Sequence, residues 1–165
     1  MITFKTAMEF FRYEPSSGKL FWKKASRNKV KVGAEVGSIK KDTGYRGFQL
    51  HGENLYVHRV IMLIITGGYD EKLQVDHIDH DRLNNRPENL RLVSQHENLK
   101  NVSKKALNTS GIVGVSYITR DRRWVAQIYI DKKNTNLGYF KTLEEAAAVR
   151  KAAEIKYGYH PNHGL

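Results

Sequence analysis

The apolar side chains of this 165-residue chain come in short groups, and the most apolar of them, Val57 to Thr66, is far too short to span a bilayer. Such parcelling allows small elements and small domains, each burying little surface, and excludes a long membrane helix. There is no cysteine, so disulfides, thiolate zinc sites and cysteine nucleophiles are excluded together. Any metal must sit on nitrogen and oxygen ligands. Lys and Arg number 28 against 17 Asp and Glu, a formal charge of +11 that attracts polyanions. The Met1 to Phe11 stretch lacks the regions of a signal peptide, and we expect a soluble intracellular protein.

Turn signals divide the chain into three blocks. The first, residues 1–68, opens with a capping box at Thr6 and Glu9 and with Phe4, Met8 and Phe11 at helical spacing. Strand-like runs follow at Leu20 to Lys23, Tyr45 to Leu50 and Leu55 to Val57, then a helix from His58 to Thr66 that Gly67 and Gly68 end. We expect a small β-meander with a helix. Block two, residues 69–103, is dense in Asp, His and Asn, and suits two short strands followed by a helix. Residues 104–110 read as a basic linker. The third block, residues 111–165, holds strand candidates at Ile112 to Tyr117, Trp124 to Ile130 and Asn136 to Phe140. A helix capped by Thr142 and Glu145 follows them, its apolar stripe blurred by five alanines. The fold class expected is α+β.

Between Val75 and Asn101 the chain reads VDHIDHDRLNNRPENLRLVSQHENLKN. Cutting a phosphodiester requires a base to deprotonate water, a cation to absorb charge, and ligands to hold that cation. Oxygen ligands suit Mg²⁺ or Mn²⁺. The ordered set Asp76-His77, Asn89 twelve residues after His77, and Asn98 twenty-one after it resembles the His-Asn-His nuclease family with its ββα-metal fold, closest to phage and intron-encoded homing endonucleases. That resemblance implies Asp76 and Asn98 as ligands of one divalent cation, His77 as general base, and Asn89 as organiser of the hairpin loop. His96 is the rival of Asn98. Two residues apart on a helix point about 200° from each other, so both cannot face one ion. The Glu97-Asn98 pair and Asn101 match the homing branch and favour Asn98. Without CxxC pairs the module must be braced by its flanking blocks. Asp79, His80 and Asp81 read as a solvated turn, Asn84, Asn85 and Arg86 as turn formers, and His58 as a cap or packing residue. Arg86 and Arg91 are candidate phosphate contacts.

The third block resembles the AP2 DNA-binding domain, a three-stranded sheet backed by a helix, through Gly114-Val115, Trp124 with Ala126 and Ile128, Leu137-Gly138 before Phe140, and the alanine-rich helix. Strand alternation sends Trp124, Ala126, Ile128 and Ile130 to the core, and Arg123, Val125, Gln127 and Tyr129 to the other face. Arg123, Gln127, Tyr129, Ser116 and Asn136 are then candidate base contacts, and Arg120, Arg122, Lys132 and Lys133, placed in turns, suit phosphates. Arginine-poor positions on this face leave the target sequence open.

These resemblances imply a homing-type nickase of duplex DNA, acting as a monomer with no obligate protein partner and no membrane. Its location would be the cytoplasm, that of the host if the chain is phage-encoded. The competing class is a sequence-specific DNA-binding protein with an inactive nuclease fold.

Overall fold

In the computed structural model, which describes residues 2–25, 30–101, 108–131 and 133–164, the first helix α1 (Phe4–Phe10) is opened by Thr3. The Thr3 side chain accepts the Thr6 N–H at 3.1 Å, so the cap is Thr3 rather than the expected Thr6. The buried face is Ala7 and Phe10, while Phe4 and Met8 stay exposed. Phe11 already belongs to β1 (Phe11–Glu14), a strand not foreseen. Pairing takes over there. Phe11 lies opposite Trp22 of β2 (Lys19–Trp22), the two rings 4.9 Å apart, and the bond of one strand to the other outweighs continuation of the helical spacing.

A three-stranded antiparallel sheet follows, β3 (Ser38–Ile39), β4 (Arg46–Leu50) and β5 (Glu53–Tyr56), with β4 central. Helix α2 (Val57–Thr66) ends at Gly67, whose φ of 73° suits glycine and whose N–H reaches the Leu63 carbonyl at 3.0 Å. Phe11, Trp22, Phe48, Leu50, Val57, Val60 and Ile61 make one core, which also takes in Val75 of β6 (Gln74–His77) and Leu90 of β7 (Leu90–Val93). The hairpin β6–β7 is thereby packed onto the meander. His58, at the start of α2, is 5% exposed and sits 4.6 Å from the Tyr45 ring and 5.6 Å from that of Tyr56.

Contacts divide the chain into two units, Met1–Ser94 and Gln95–Leu165. The second opens with the one-turn helix α3 (Gln95–Asn98) and a 3₁₀ turn at Leu99–Asn101. Residues 102–107, which include most of the expected linker, lie outside the described residues, as does Lys132. Strands β8 (Val115–Ile118), β9 (Arg123–Ile130) and β10 (Lys133–Phe140) form an antiparallel sheet with β9 in the middle, backed by α4 (Leu143–Lys156). Lys133 is the first residue of β10, paired with Ile130, rather than a turn residue. The first strand starts three residues later than Ile112, because Val115 N–H bonds back to the Ile112 carbonyl in a turn.

Thr142 and Glu145 form the expected capping box. The buried face of α4 is Ala146, Arg150, Ala153 and Glu154, with Val149 and Ile155 exposed, which explains the blurred stripe. Small alanines let the helix approach Val115 and Ala126, and Arg150 is the exception that must be satisfied. It is: Nε donates to Glu154 Oε1 at 3.0 Å and Nη1 to the Gln127 carbonyl at 2.7 Å, with His163 Nε2 3.1 Å from Nη2. Among the described residues no helix is long and apolar enough to cross a membrane.

Two stability predictions follow from this packing. A Cβ at Gly114 (φ +78°) would lie 2.5 Å from the Gln127 carbonyl and 3.0 Å from the Arg150 guanidinium carbon. Gly114→Ala should therefore cost at least about 2 kcal/mol in urea unfolding. Burial, helped by the charges of His77 and Arg59, presses His58 down from 6.5 to about 3. The unfolded chain then binds the extra proton below pH 6.5, and stability is lost as pH falls toward 3. His58 alone should account for a loss of about 2 kcal/mol between pH 7 and pH 5, and His58→Phe should flatten the profile by that amount.

Candidate active site

Strands β6 and β7 pair antiparallel with Asp76 opposite Arg91 and His77 opposite Leu90. Alternation along β6 gives these chain neighbours different surroundings. Asp76, 9% exposed, accepts the Arg91 guanidinium on its Oδ2, from Nε at 2.9 Å and Nη2 at 2.8 Å. This cross-strand fork gives a buried carboxylate two donors where little water reaches it. Arg91, expected to touch phosphate, is thus bound to the expected metal ligand.

His77, the last residue of β6, is 3% exposed. Its Nε2 lies 2.9 Å from Asn85 Oδ1. Around the ring stand His58, edge-on at 5.2 Å, and Tyr45 at 5.7 Å. The Arg82 guanidinium covers Tyr45 at 5.0 Å and donates to the Thr43 carbonyl at 2.6 Å. Burial holds His77 below the ordinary imidazole range, although the Asn85 hydrogen bond and the charges of Asp79, Asp76 and Asp81 pull the other way. The ring is neutral near pH 7.

The loop joining the two strands is tied by Asn89, which is 6% exposed. Its Nδ2 donates to Asp79 Oδ1 and to the Asn84 carbonyl, both at 2.8 Å, and its Oδ1 accepts the Asp79 N–H at 3.0 Å. Its backbone carbonyl accepts the Ile78 N–H at 2.9 Å. Asp79 adds bonds from Asn84 Nδ2 at 2.7 Å and the Asp81 N–H at 2.8 Å. Burial disfavours the Asp79 carboxylate, but these bonds from Asn84, Asn89 and Asp81 outweigh it and hold its pKa low. Asp79 and Asp81 are exposed in a turn, as expected, and the turn is also tied by these hydrogen bonds.

The first block braces this loop. Tyr13 donates to the Asn85 carbonyl at 2.7 Å, and Arg86 Nε to the Ser16 carbonyl at 3.0 Å. Gly18 (φ +69°) packs so close that a Cβ there would meet Arg86 N at 2.8 Å. Tyr13 and Tyr45 were not singled out from the sequence, and Asn85 was read only as a turn former, since no spacing rule links positions so far apart. The one signal was His58, a polar residue opening an apolar helix.

Asn98 closes α3 in the second unit, and the His96 side chain lies outside the described residues. Among the described residues no three His, Asp or Glu side chains converge as metal ligands.

In the second unit Ser116, Arg123, Tyr129 and Asn136 are exposed and Gln127 is half-buried. Asn136 lies opposite Gln127 and Ser116 opposite Val125. Arg120 and Arg122 are exposed in the turn before β9, Arg120 paired with Asp121 at 2.8 Å. Val125, assigned to this face, is only 5% exposed, between Ser116 and Tyr139 in the ladder, so the face is not polar throughout. Asn134 and Tyr139 share it and were missed, Asn134 because β10 starts earlier than the expected Asn136 and Tyr139 because a bulge between Asn136 and Gly138 shifts the register. Asn134 Nδ2 donates to Gln127 Oε1 at 3.2 Å.

Comparison with known proteins places this geometry. Residues 55–100 match the HNH endonuclease family, a span that includes α2 and His58 as well as the hairpin. The DNA endonuclease I-HmuI of Bacillus phage SP01 is 42% identical over 60 residues, covering 36% of this chain and 34% of that protein. Protein 3.8 of Escherichia phage T7 is 31% identical over 84 residues, 51% of this chain and 69% of its own length. The solved structure described as DNA binding and cleavage by the HNH homing endonuclease I-HmuI aligns with a TM-score of 0.44 at 29% identity, over 61% of this chain and 55% of that one. The chain thus spans about a third of I-HmuI and about two thirds of Protein 3.8. Residues 55–100 carry an HNH endonuclease domain.

Proposed function

We propose that this chain is a metal-dependent endonuclease that hydrolyses phosphodiester bonds in duplex DNA, a site-specific nickase of the homing type. The observation that carries the reading is His77, a buried neutral imidazole locked at a strand end, one residue from a buried carboxylate. His77 takes a proton from water. The water oxygen bonds to phosphorus as the P–O3′ bond breaks, and the departing oxygen gains a proton from solvent, giving a 3′ hydroxyl and a 5′ phosphate.

Asp76 and Asn98 would hold one divalent cation, Mg²⁺ or Mn²⁺. The donor set suits a hard ion that retains waters and needs only one or two carboxylates. The Arg91 fork bonds to one carboxylate oxygen of Asp76, Oδ2. When bound, the ion supplies positive charge to the phosphate and to the leaving oxygen. Asn89 keeps the loop closed through Asp79 and Asn84, so that His77 and Asp76 are presented from a rigid hairpin.

The outer face of β8–β10 is the proposed DNA reader, AP2-like in its use of a sheet, with Arg123, Gln127, Tyr129, Ser116 and Asn136 toward bases. Asn134 and Tyr139 extend it. Arg120, Arg122, Lys132 and Lys133 suit phosphates, and Arg86 remains a further candidate, while Arg91 serves Asp76. One site reaches one strand per binding event, so the active species is a monomer, working in the cytoplasm.

Supercoiled plasmid incubated with Mg²⁺ or Mn²⁺ should relax to open circle before any linear form appears, and His77→Ala should lower the rate by about 10²-fold or more. Intact plasmid with either ion would leave the DNA-binding reading instead. Activity requires neutral His77, so the rate should rise with pH along a limb lying below the ordinary imidazole pKa. A limb above that range would remove His77 from the role of base. DNA affinity should fall on the order of 10³-fold between about 50 and 200 mM salt, as measured by fluorescence anisotropy.

A further inference from the structure

We infer that Lys100 is a positioning residue for the proposed metal site: it clasps the turn that follows Asn98 to the end of α4, and so sets where Asn98 stands. The inference rests on the reading of Asn98 as a metal ligand. Neither Lys100 nor the segment after α4 stood out in the sequence.

A helix of four residues cannot hold its own shape, because nucleating it costs more than its few hydrogen bonds return. The 3₁₀ turn Leu99–Asn101 that continues it adds only three residues. The orientation of Asn98 must therefore come from contacts made outside α3. Lys100 supplies two. Its Nζ donates to the Tyr157 carbonyl at 2.8 Å, and its own carbonyl accepts the His160 N–H at 3.1 Å. Tyr157 caps α4, so its carbonyl is one of those a helix leaves without an internal partner, at the end where positive charge is favoured. One bond fixes the side chain of Lys100 and the other its backbone, and the turn can neither slide along the segment nor roll away from it.

The segment that Lys100 grips is itself anchored to the sheet and helix of the second unit. The Tyr159 hydroxyl donates to the Tyr129 carbonyl of β9 at 2.6 Å, and the Tyr159 N–H to the Glu154 carbonyl of α4 at 2.9 Å. Its ring packs on the Arg150 guanidinium at 5.1 Å and on the His163 ring at 4.8 Å. Leu99 and Tyr159 line one pocket with Val113 and Ile128, and Asn101, at the far end of the turn, is 3% exposed. Asn98 is thereby joined to β9 and α4, which carry and back the proposed DNA-reading face, whereas Asp76 belongs to the first unit. A ligand fixed to the DNA-reading body is presented to the ion by that body. Loosening the clasp therefore lowers affinity for the ion and leaves the chemical step intact once the ion is bound.

Mn²⁺ binding to the full chain without DNA, read from the loss of the free-ion electron paramagnetic resonance signal, measures this independently of activity. Lys100→Met, which keeps an apolar stem and removes the donor, should weaken Mn²⁺ binding by about tenfold or more, and Lys100→Arg should hold it within about threefold of wild type. In nicking assays Lys100→Met should raise the Mn²⁺ concentration for half-maximal rate by the same factor, with the rate recovered at saturating Mn²⁺. General damage to the fold would instead lower the rate at every concentration. Wild-type Mn²⁺ affinity in Lys100→Met, where Asn98→Ala loses affinity, overturns the inference alone. If Asn98→Ala binds Mn²⁺ as tightly as wild type, the reading of Asn98 as a ligand falls and takes the inference with it. If Lys100→Met does not fold, Tyr159→Phe, which removes the hydroxyl that ties the segment to β9, should weaken Mn²⁺ binding in its place, and unchanged affinity there overturns the inference.

Discussion

Everything at the hairpin depends on Asn89, whose one amide group closes the loop between β6 and β7. It satisfies the Asp79 carboxylate, the Asp79 N–H and the Asn84 carbonyl together. Two strands of four residues hold few ladder bonds of their own, and the chain has no cysteine with which to staple them. A side-chain amide can do this because it donates and accepts at once. The anchors from Tyr13, Ser16 and Gly18 then fix the loop to the meander.

The two groups on which the proposed chemistry rests receive opposite electrostatic treatment. Asp76 accepts a guanidinium fork from the facing strand. His77 is kept neutral by burial among aromatic rings, against the opposing pull of the Asn85 hydrogen bond and the nearby carboxylates. The proposed base must begin without its proton, a condition that burial of the ring favours. His58 belongs to the same arrangement: its pKa of about 3 keeps a second positive charge away from His77.

The second unit solves a different problem, that of a small sheet backed by a helix with few large apolar residues. Its core is Val115, Ala126 and Ala146, with Trp124, Leu137 and Phe140 at the margin. Arg150 crosses that thin core and bonds to β9, to α4 itself and to His163 near the end of the described chain. The buried helix face is thus defined by small size and by a satisfied charge, which hydrophobic periodicity does not register.

Local chemistry determined much of this molecule. The Thr142–Glu145 box, the Gly67 stop and the placing of Asp76-His77 and Leu90 on two short strands all follow from residues within a few positions of one another. The Phe4–Met8–Phe11 stripe reads wrongly because pairing with β2 competed for Phe11 and won, and the cap is Thr3, with Thr6 already inside the helix. Tertiary structure alone decided that Asn85 faces His77, that Arg91 clasps Asp76, and that Tyr13, Tyr45 and His58 close around them. Those contacts join residues from separate elements, and their energies depend on burial and on the direction of individual donors, which exist only once the chain has folded.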